Sequence, residues 1–158
     1  MLHYKLPVMK MVYYKTRIAD IPSNLVPFGY TIIKFNKYNI HKWSGIFTLC
    51  IELFYSEREW DEMWNVEEAA TRIKAGDNFY VMFKVTDLKS PIAYLWVKGN
   101  FIYNVFVHSS KPKNSSVLFM QEVIHTIKTD KEHIEWDTDK WNIAAMKLWD
   151  KVGAKKII

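Results

Sequence analysis

Cysteine occurs once in the 158 residues, at Cys50, which excludes an internal disulfide framework and any multi-cysteine zinc site. Glycine and proline occur five times each, too few for a linker-rich or low-complexity chain. No apolar run approaches the roughly 20 residues of a membrane helix. Tyr4, Lys5 and Lys10 interrupt every apolar stretch near the start, so nothing there reads as a signal peptide. The serines at 109, 110, 115 and 116 have no glycine-framed elbow around them, and no Walker-type phosphate loop occurs. The five histidines show no metal-ligand spacing with Cys50 or with the acids. These absences leave a soluble chain in a reducing compartment, the cytoplasm being the expected place.

What is present suits one packed domain. The apolar fraction is 49% and the charged fraction 25%, ordinary for a globular protein, and a chain of this length can bury a core without staples. The net charge of +5 is unevenly spread: residues 1–50 carry +6, residues 51–77 carry −5, residues 78–128 carry +4 and the last thirty balance. A basic first third suits an acidic partner or a nucleotide phosphate. Equally, Lys5, Lys10, Lys15 and Lys37 read as ordinary solubilising lysines.

Periodicity gives the element order. Met9–Thr16 reads as a strand and Ile21–Pro27 as a loop. Tyr30–Phe35 is β-branched and aromatic, hence a strand, and residues 39–55 read as a helix. Trp60 and Trp64, four apart, read as packing anchors. Asn65 and Glu68 make a capping-box pattern for a helix that Gly76 stops. Phe79, Val81, Phe83 and Val85 alternate as one side of a half-buried strand. With Asp87 and Ser90-Pro91 bracketing a turn, residues 92–97 and 101–107 complete an antiparallel meander. Val117, Met120, Ile124 and Ile127 then form the buried stripe of a helix over 114–128, leaving His125 off that stripe in solvent. Ile134 and Trp136 mark a short strand. A final helix over 140–152 carries Trp141, Ala144, Ala145, Leu148, Trp149 and Val152, ends at Gly153, and leads into a last short strand.

The segment Asn142-Ile-Ala-Ala145-Met-Lys-Leu148-Trp149-Asp-Lys-Val-Gly153-Ala resembles the Asn-x-x-Ala-x-x-Leu-Tyr-Glu-Lys-x-Gly-Phe signature of the GNAT superfamily of acyl-CoA-dependent N-acyltransferases. The stretch Glu67–Phe83 is similar to that family's second helix and second strand. The resemblance implies a single α/β (α+β) domain over 29–158, a mainly antiparallel twisted sheet flanked by helices. Residues 1–28 are left as an N-terminal extension. It also implies that the strands ending at Val107 and Trp136 splay apart for a pantetheine arm, with acetyl-CoA as the cofactor.

In the family the acyl-CoA pyrophosphate is gripped by a loop of type Arg/Gln-x-x-Gly-x-Gly/Ala at a helix N-terminus. The matching residues are Lys111-Pro-Lys-Asn114-Ser115-Ser116. Lys111 keeps the charge, Asn114 tolerates the left-handed conformation in place of a glycine, and Ser116 is small. Backbone groups near Val105 to Val107 would polarise the acyl carbonyl, and Asn142 matches the signature asparagine. The loop lacks glycine and Pro112 removes an N–H donor, so acyl-CoA is expected to bind weakly. The position of the family's acid tyrosine is Trp149, whose indole does not titrate. No acid lies between Asp87 and Glu122, which leaves His108 as the catalytic candidate. Asp137 and Asp139 follow, Asp139 competing with Asn142 as the last helix's cap.

Two functions are therefore expected to compete. The first is an atypical N-acyltransferase with a degraded loop. The second is a non-catalytic structural or interaction protein that kept the fold, such as a virion component of a tailed phage, placed in host cytoplasm or virion. Tyr4, Tyr13, Tyr14 and Phe28 among lysines suit a protein interface or self-assembly through residues 1–28. An extra strand covering a sheet edge is the competing reading. Nucleic acid is not expected to be the partner: the basic aromatic segment suits single strands, but it is short and equally suited to strand pairing.

Overall fold

The computed structural model describes residues 11–22, 29–57, 66–107, 115–127, 132–139 and 143–157. Its elements are β1 (Met11–Arg17), β2 (Tyr30–Phe35), α1 (Ser44–Glu57), α2 (Val66–Lys74), β3 (Asn78–Lys84), β4 (Asp87–Lys98), β5 (Phe101–Val107), α3 (Ser115–Thr126), β6 (His133–Asp139), α4 (Ile143–Val152) and β7 (Lys156–Ile157). One seven-stranded sheet runs in the order β2-β3-β4-β5-β6-β1-β7. Every pair is antiparallel except β5 with β6.

Helices cover both faces of the sheet. On one, α1 and α2 pack Phe47, Cys50, Ala69 and Ile73 against Phe79, Val81, Phe83, Tyr94 and Trp96. On the other, α3 and α4 pack Phe119, Met120, Val123, Ile124, Trp149 and Val152 against Tyr80, Met82, Leu95 and Val97. β3 is therefore buried on both sides, not on one as its alternation suggests: Tyr80 and Met82 face α3 and α4 while their neighbours face α1 and α2. Val85 has left that strand and is 57% exposed. β4 is also longer than Ser90-Pro91 implies. It begins at Asp87 and takes Pro91 into the ladder opposite Phe83, where a register shift accommodates the missing N–H.

Helix ends obey local chemistry. Gly76 has φ 120° and Gly153 φ 102°, a left-handed backbone that only glycine adopts without strain. The amides that follow fold back, Asp77 N–H onto the Arg72 carbonyl and Ala154 N–H onto the Trp149 carbonyl. Asp77, set by that turn, accepts the buried Trp96 indole N–H at 2.9 Å. Across the sheet, the Gln121 amide of α3 donates to the Val152 carbonyl at the end of α4 (3.1 Å). His125 is not in solvent: it is half-buried, and its Nε2–H donates to the Ile21 carbonyl at 2.6 Å.

β1 is an interior strand. Its seven residues pair with β6 from Met11↔Asp139 to Arg17↔His133, and β7 adds to its other side. The Thr16 hydroxyl accepts the Lys155 N–H (2.9 Å), tying β1 to the segment that leads into β7.

Candidate functional site

β5 and β6 run parallel and share one ladder position, Phe101↔Glu135. The junction is pinned at Asn100. Its carbonyl accepts the Glu135 N–H (2.9 Å), and its side-chain amide donates to the His133 carbonyl (3.1 Å) and to Glu135 Oε2 (3.3 Å). Beyond that point the two strands have no further register toward Val107 and Asp139. β5 stays with β4, Leu95 opposite Val105 and Ala93 opposite Val107. A register shift between Trp96 and Val97 leaves Tyr103 without an opposite number and bends β5 locally.

Because both strands point the same way, the helices that follow them, α3 and α4, begin at the end where the strands part. A crevice outside the carboxyl ends of parallel strands, faced by helix N-termini, is where a sheet of this kind accepts ligands. The positive ends of two helix dipoles also favour an anionic group there.

The α3/α4 side of this fork is walled by aromatic rings. Tyr14 of β1 stacks on Trp136 of β6, centroids 5.3 Å apart and planes within 9°, and Trp149 of α4 tilts against both at 6.4 and 4.9 Å. All three are at most 2% exposed. The Trp149 indole N–H donates to the Thr138 hydroxyl (2.9 Å), so this side chain is committed to β6. The Tyr14 hydroxyl and the Trp136 indole N–H are buried without a hydrogen-bond partner. Burial, and to a lesser extent the charge of Asp150, pushes the Tyr14 phenol above its ordinary value.

The opposite side of the fork is polar. His133, Glu135 and Asp137 of β6 alternate with the buried Ile134, Trp136 and Thr138, and they face Arg17, Lys15 and Tyr13 across the β1 ladder. Tyr13 is 53% exposed, next in sequence to the buried Tyr14. The α1/α2 core includes no residue of β1, β6 or β7.

Of the residues singled out from sequence, His108, Lys111, Asn114 and Asn142 lie outside the described residues, as do Trp60, Trp64 and Asn65. Val105 is half-buried against the α3/α4 core, Val107 ends β5, Ser115 opens α3, and Ser116 is half-buried in its first turn. Asp137 sits on the polar face and Asp139 ends β6 opposite Met11. Sequence reasoning missed Asn100 and Glu135 as the hinge of the fork and Tyr14 as part of its wall. The signal for Tyr14 was its place between two polar-facing neighbours in a strand. Among the described residues no cluster of histidine, cysteine or carboxylates is fit to hold a metal ion. Nor is any helix there long and apolar enough to cross a membrane.

The architecture is GNAT-like: a mixed, mostly antiparallel sheet with helices on both faces and one parallel pair that parts. Comparison with known proteins bears on the fold alone. No family model matches the sequence, and neither does any curated protein. A Drosophila protein superposes on 94% of this chain at a TM-score of 0.66 with 9% identity, the match spanning 48% of its length. An aminoglycoside acetyltransferase from an uncultured soil metagenomic sample, solved with trehalose, covers 85% of this chain at TM-score 0.56 and 10% identity, over 95% of its own length. A tandem GNAT protein from the clavulanic acid biosynthesis pathway covers 92% at TM-score 0.56 and 10% identity, over 50% of its length. This chain thus spans about half of the Drosophila and tandem proteins.

Proposed function

We propose that the domain is an atypical acyl-CoA-dependent N-acyltransferase. The observation that carries this reading is the fork, where β5 and β6 separate after one ladder pair and two helices begin at the open end. The separated strands and those helix N-termini fit an extended chain bearing phosphates. Bound acyl-CoA would supply an acyl group already activated as a thioester. The start of α3 at Ser115 and Ser116, with Lys111 and Asn114 before it, would hold the pyrophosphate, and Asn142 would stand at the start of α4. Backbone groups of β5 near Val105 to Val107 would polarise the acyl carbonyl.

The reaction is direct transfer of the acyl group to an amine. Asp137, on the polar face two residues beyond the hinge at Glu135, takes the amine's proton at its carboxylate, with His108 as the other base. Trp149 gives no proton to the leaving thiolate, because its indole does not titrate and is bonded to Thr138. Water must protonate the thiolate, and turnover is slow. Calorimetric titration with acetyl-CoA, together with thiol release in the presence of a panel of primary amines, tests the reading. Weak saturable binding and amine-dependent thiol release support it. No binding and no release overturn it.

A second reading is favoured by one observation, the locking of Trp149 onto Thr138 within a buried aromatic wall. A fold kept for its shape alone, as in a virion or other interaction protein, needs packing there and no acid. Self-association through residues 1–28, with the exposed Tyr13 among the anchors, belongs to this reading. Sedimentation of the full chain tests it: a single monomeric species across concentrations refutes self-assembly.

A further inference from the structure

Across the sheet from α3 and α4, the groove between α1 and α2 contains a cavity of about 150 Å³. Its walls divide by chemistry. Ile40 and Phe47, 3% and 2% exposed, form an apolar floor. His41, Ser44, Thr48 and Lys74 form the rim. Ser44 and Thr48, four residues apart at the start of α1, lie one above the other on the same helix face. Lys74 stands in the last turn of α2 and is exposed. Among the described residues no carboxylate lines the cavity. The first turn of α1 contains no acid, so its positive dipole end is not offset from within the helix. Val66 and Ala70 of α2 complete the lining. The acids Glu67 and Glu68 stand in that helix's first turn, beside Val66 but not among the lining residues, and Glu68 is paired with Arg72 at 3.4 Å.

We infer that this cavity is a binding site for a short-chain aliphatic carboxylate. Its rim offers an ammonium, an imidazole and two hydroxyls, a donor set that matches a carboxylate and gives a cation no anionic partner among the described residues. The floor excludes inorganic phosphate as the natural occupant, since a fully hydrated dianion gains nothing from Ile40 and Phe47. A cavity of this volume accepts about six carbon-sized atoms, the size of benzene. Three carbons and a carboxylate group, as in butyrate, reach that limit. The inference is independent of acyl transfer, because the cavity lies on the other face of the sheet from the aromatic wall.

Sodium butyrate is the probe, with butyramide as its neutral isostere, and both are titrated into the full chain by amide NMR. Butyrate is expected to shift resonances of α1 and α2 saturably. A charge-assisted hydrogen bond lost should weaken binding roughly tenfold or more, for butyramide and equally for Lys74→Met and Ser44→Ala. Both substitutions are at exposed positions, and unchanged circular dichroism verifies that the variants fold. Cys50 gives a second readout: it lies on α1, fully buried, two residues past Thr48. Butyrate at ten times its dissociation constant should slow its labelling by a thiol reagent about tenfold, since only the closed state binds. Equal affinity for butyramide, undiminished binding in folded Lys74→Met, shifts centred away from α1 and α2, or no saturable response would each overturn the assignment.

Discussion

Replacing Tyr14 with phenylalanine should make this protein more stable. The side chain is 1% exposed, and its hydroxyl is buried without a partner. An unpaired buried hydroxyl costs about 1–3 kcal/mol in lost hydration. Phenylalanine keeps the ring, and with it the stack on Trp136 at 5.3 Å and the tilted contact with Trp149. The void left by one oxygen is smaller than a methyl group and costs less than about 1 kcal/mol. The balance is a gain of about 1 kcal/mol, or roughly 2–4 °C in Tm for a domain of this size. Tyr14→Ala, which removes the ring, should instead lose about 3–5 kcal/mol. The gain should widen in alkali. The folded phenol's value is raised above 10.0, so from about pH 10 upward the unfolded chain ionises first and the wild type loses stability that the phenylalanine variant retains. Urea unfolding at pH 7 and pH 10.5, followed by tryptophan fluorescence, measures both effects. A Tyr14→Phe protein less stable than wild type at pH 7 would refute the reasoning, since the hydroxyl would then have a partner.

Burial pushes the Cys50 thiol from 9.0 up to about 12, so Cys50 alone should contribute a loss of about 1.4 kcal/mol per pH unit to wild-type stability between about pH 9 and 12. Cys50→Ala should lose that slope, and parallel pH profiles for the two proteins would contradict it. Asp77→Ala removes the acceptor of the buried Trp96 indole and should cost about 1–3 kcal/mol in denaturant melts; an unchanged midpoint would show that the bond contributes nothing net. Deleting residues 1–20 takes β1 from between β6 and β7 and should abolish the cooperative thermal transition. A folded truncated chain would show instead that the sheet closes without this strand.

The element order was legible in the sequence because helix and strand periods are local properties. The stripe through Met120 and Ile124, the glycine stops at Gly76 and Gly153, and the meander after Asn78 all rest on neighbours a few residues apart. The likeness of the last helix to a family signature extended this to the fold class. The reading erred where burial depends on distant chain. Alternation in β3 suggested one buried face, yet helices on both sides bury every residue from Phe79 to Phe83. His125 looked solvated until the Ile21 carbonyl, more than a hundred residues away in sequence, proved to be its acceptor.

The site divides in the same way. The sequence by itself determined that position 149 carries a tryptophan, whose indole does not titrate, and that no carboxylate stands on β5. Only the tertiary structure decided that Tyr14 would stack on Trp136, that Asn100 would pin the fork to Glu135, and that His41 and Lys74 would rim one cavity. Each of these brings together residues 33 or more positions apart. No local period encodes such a pairing: it is selected by the burial and hydrogen bonding of the assembled sheet and its helices.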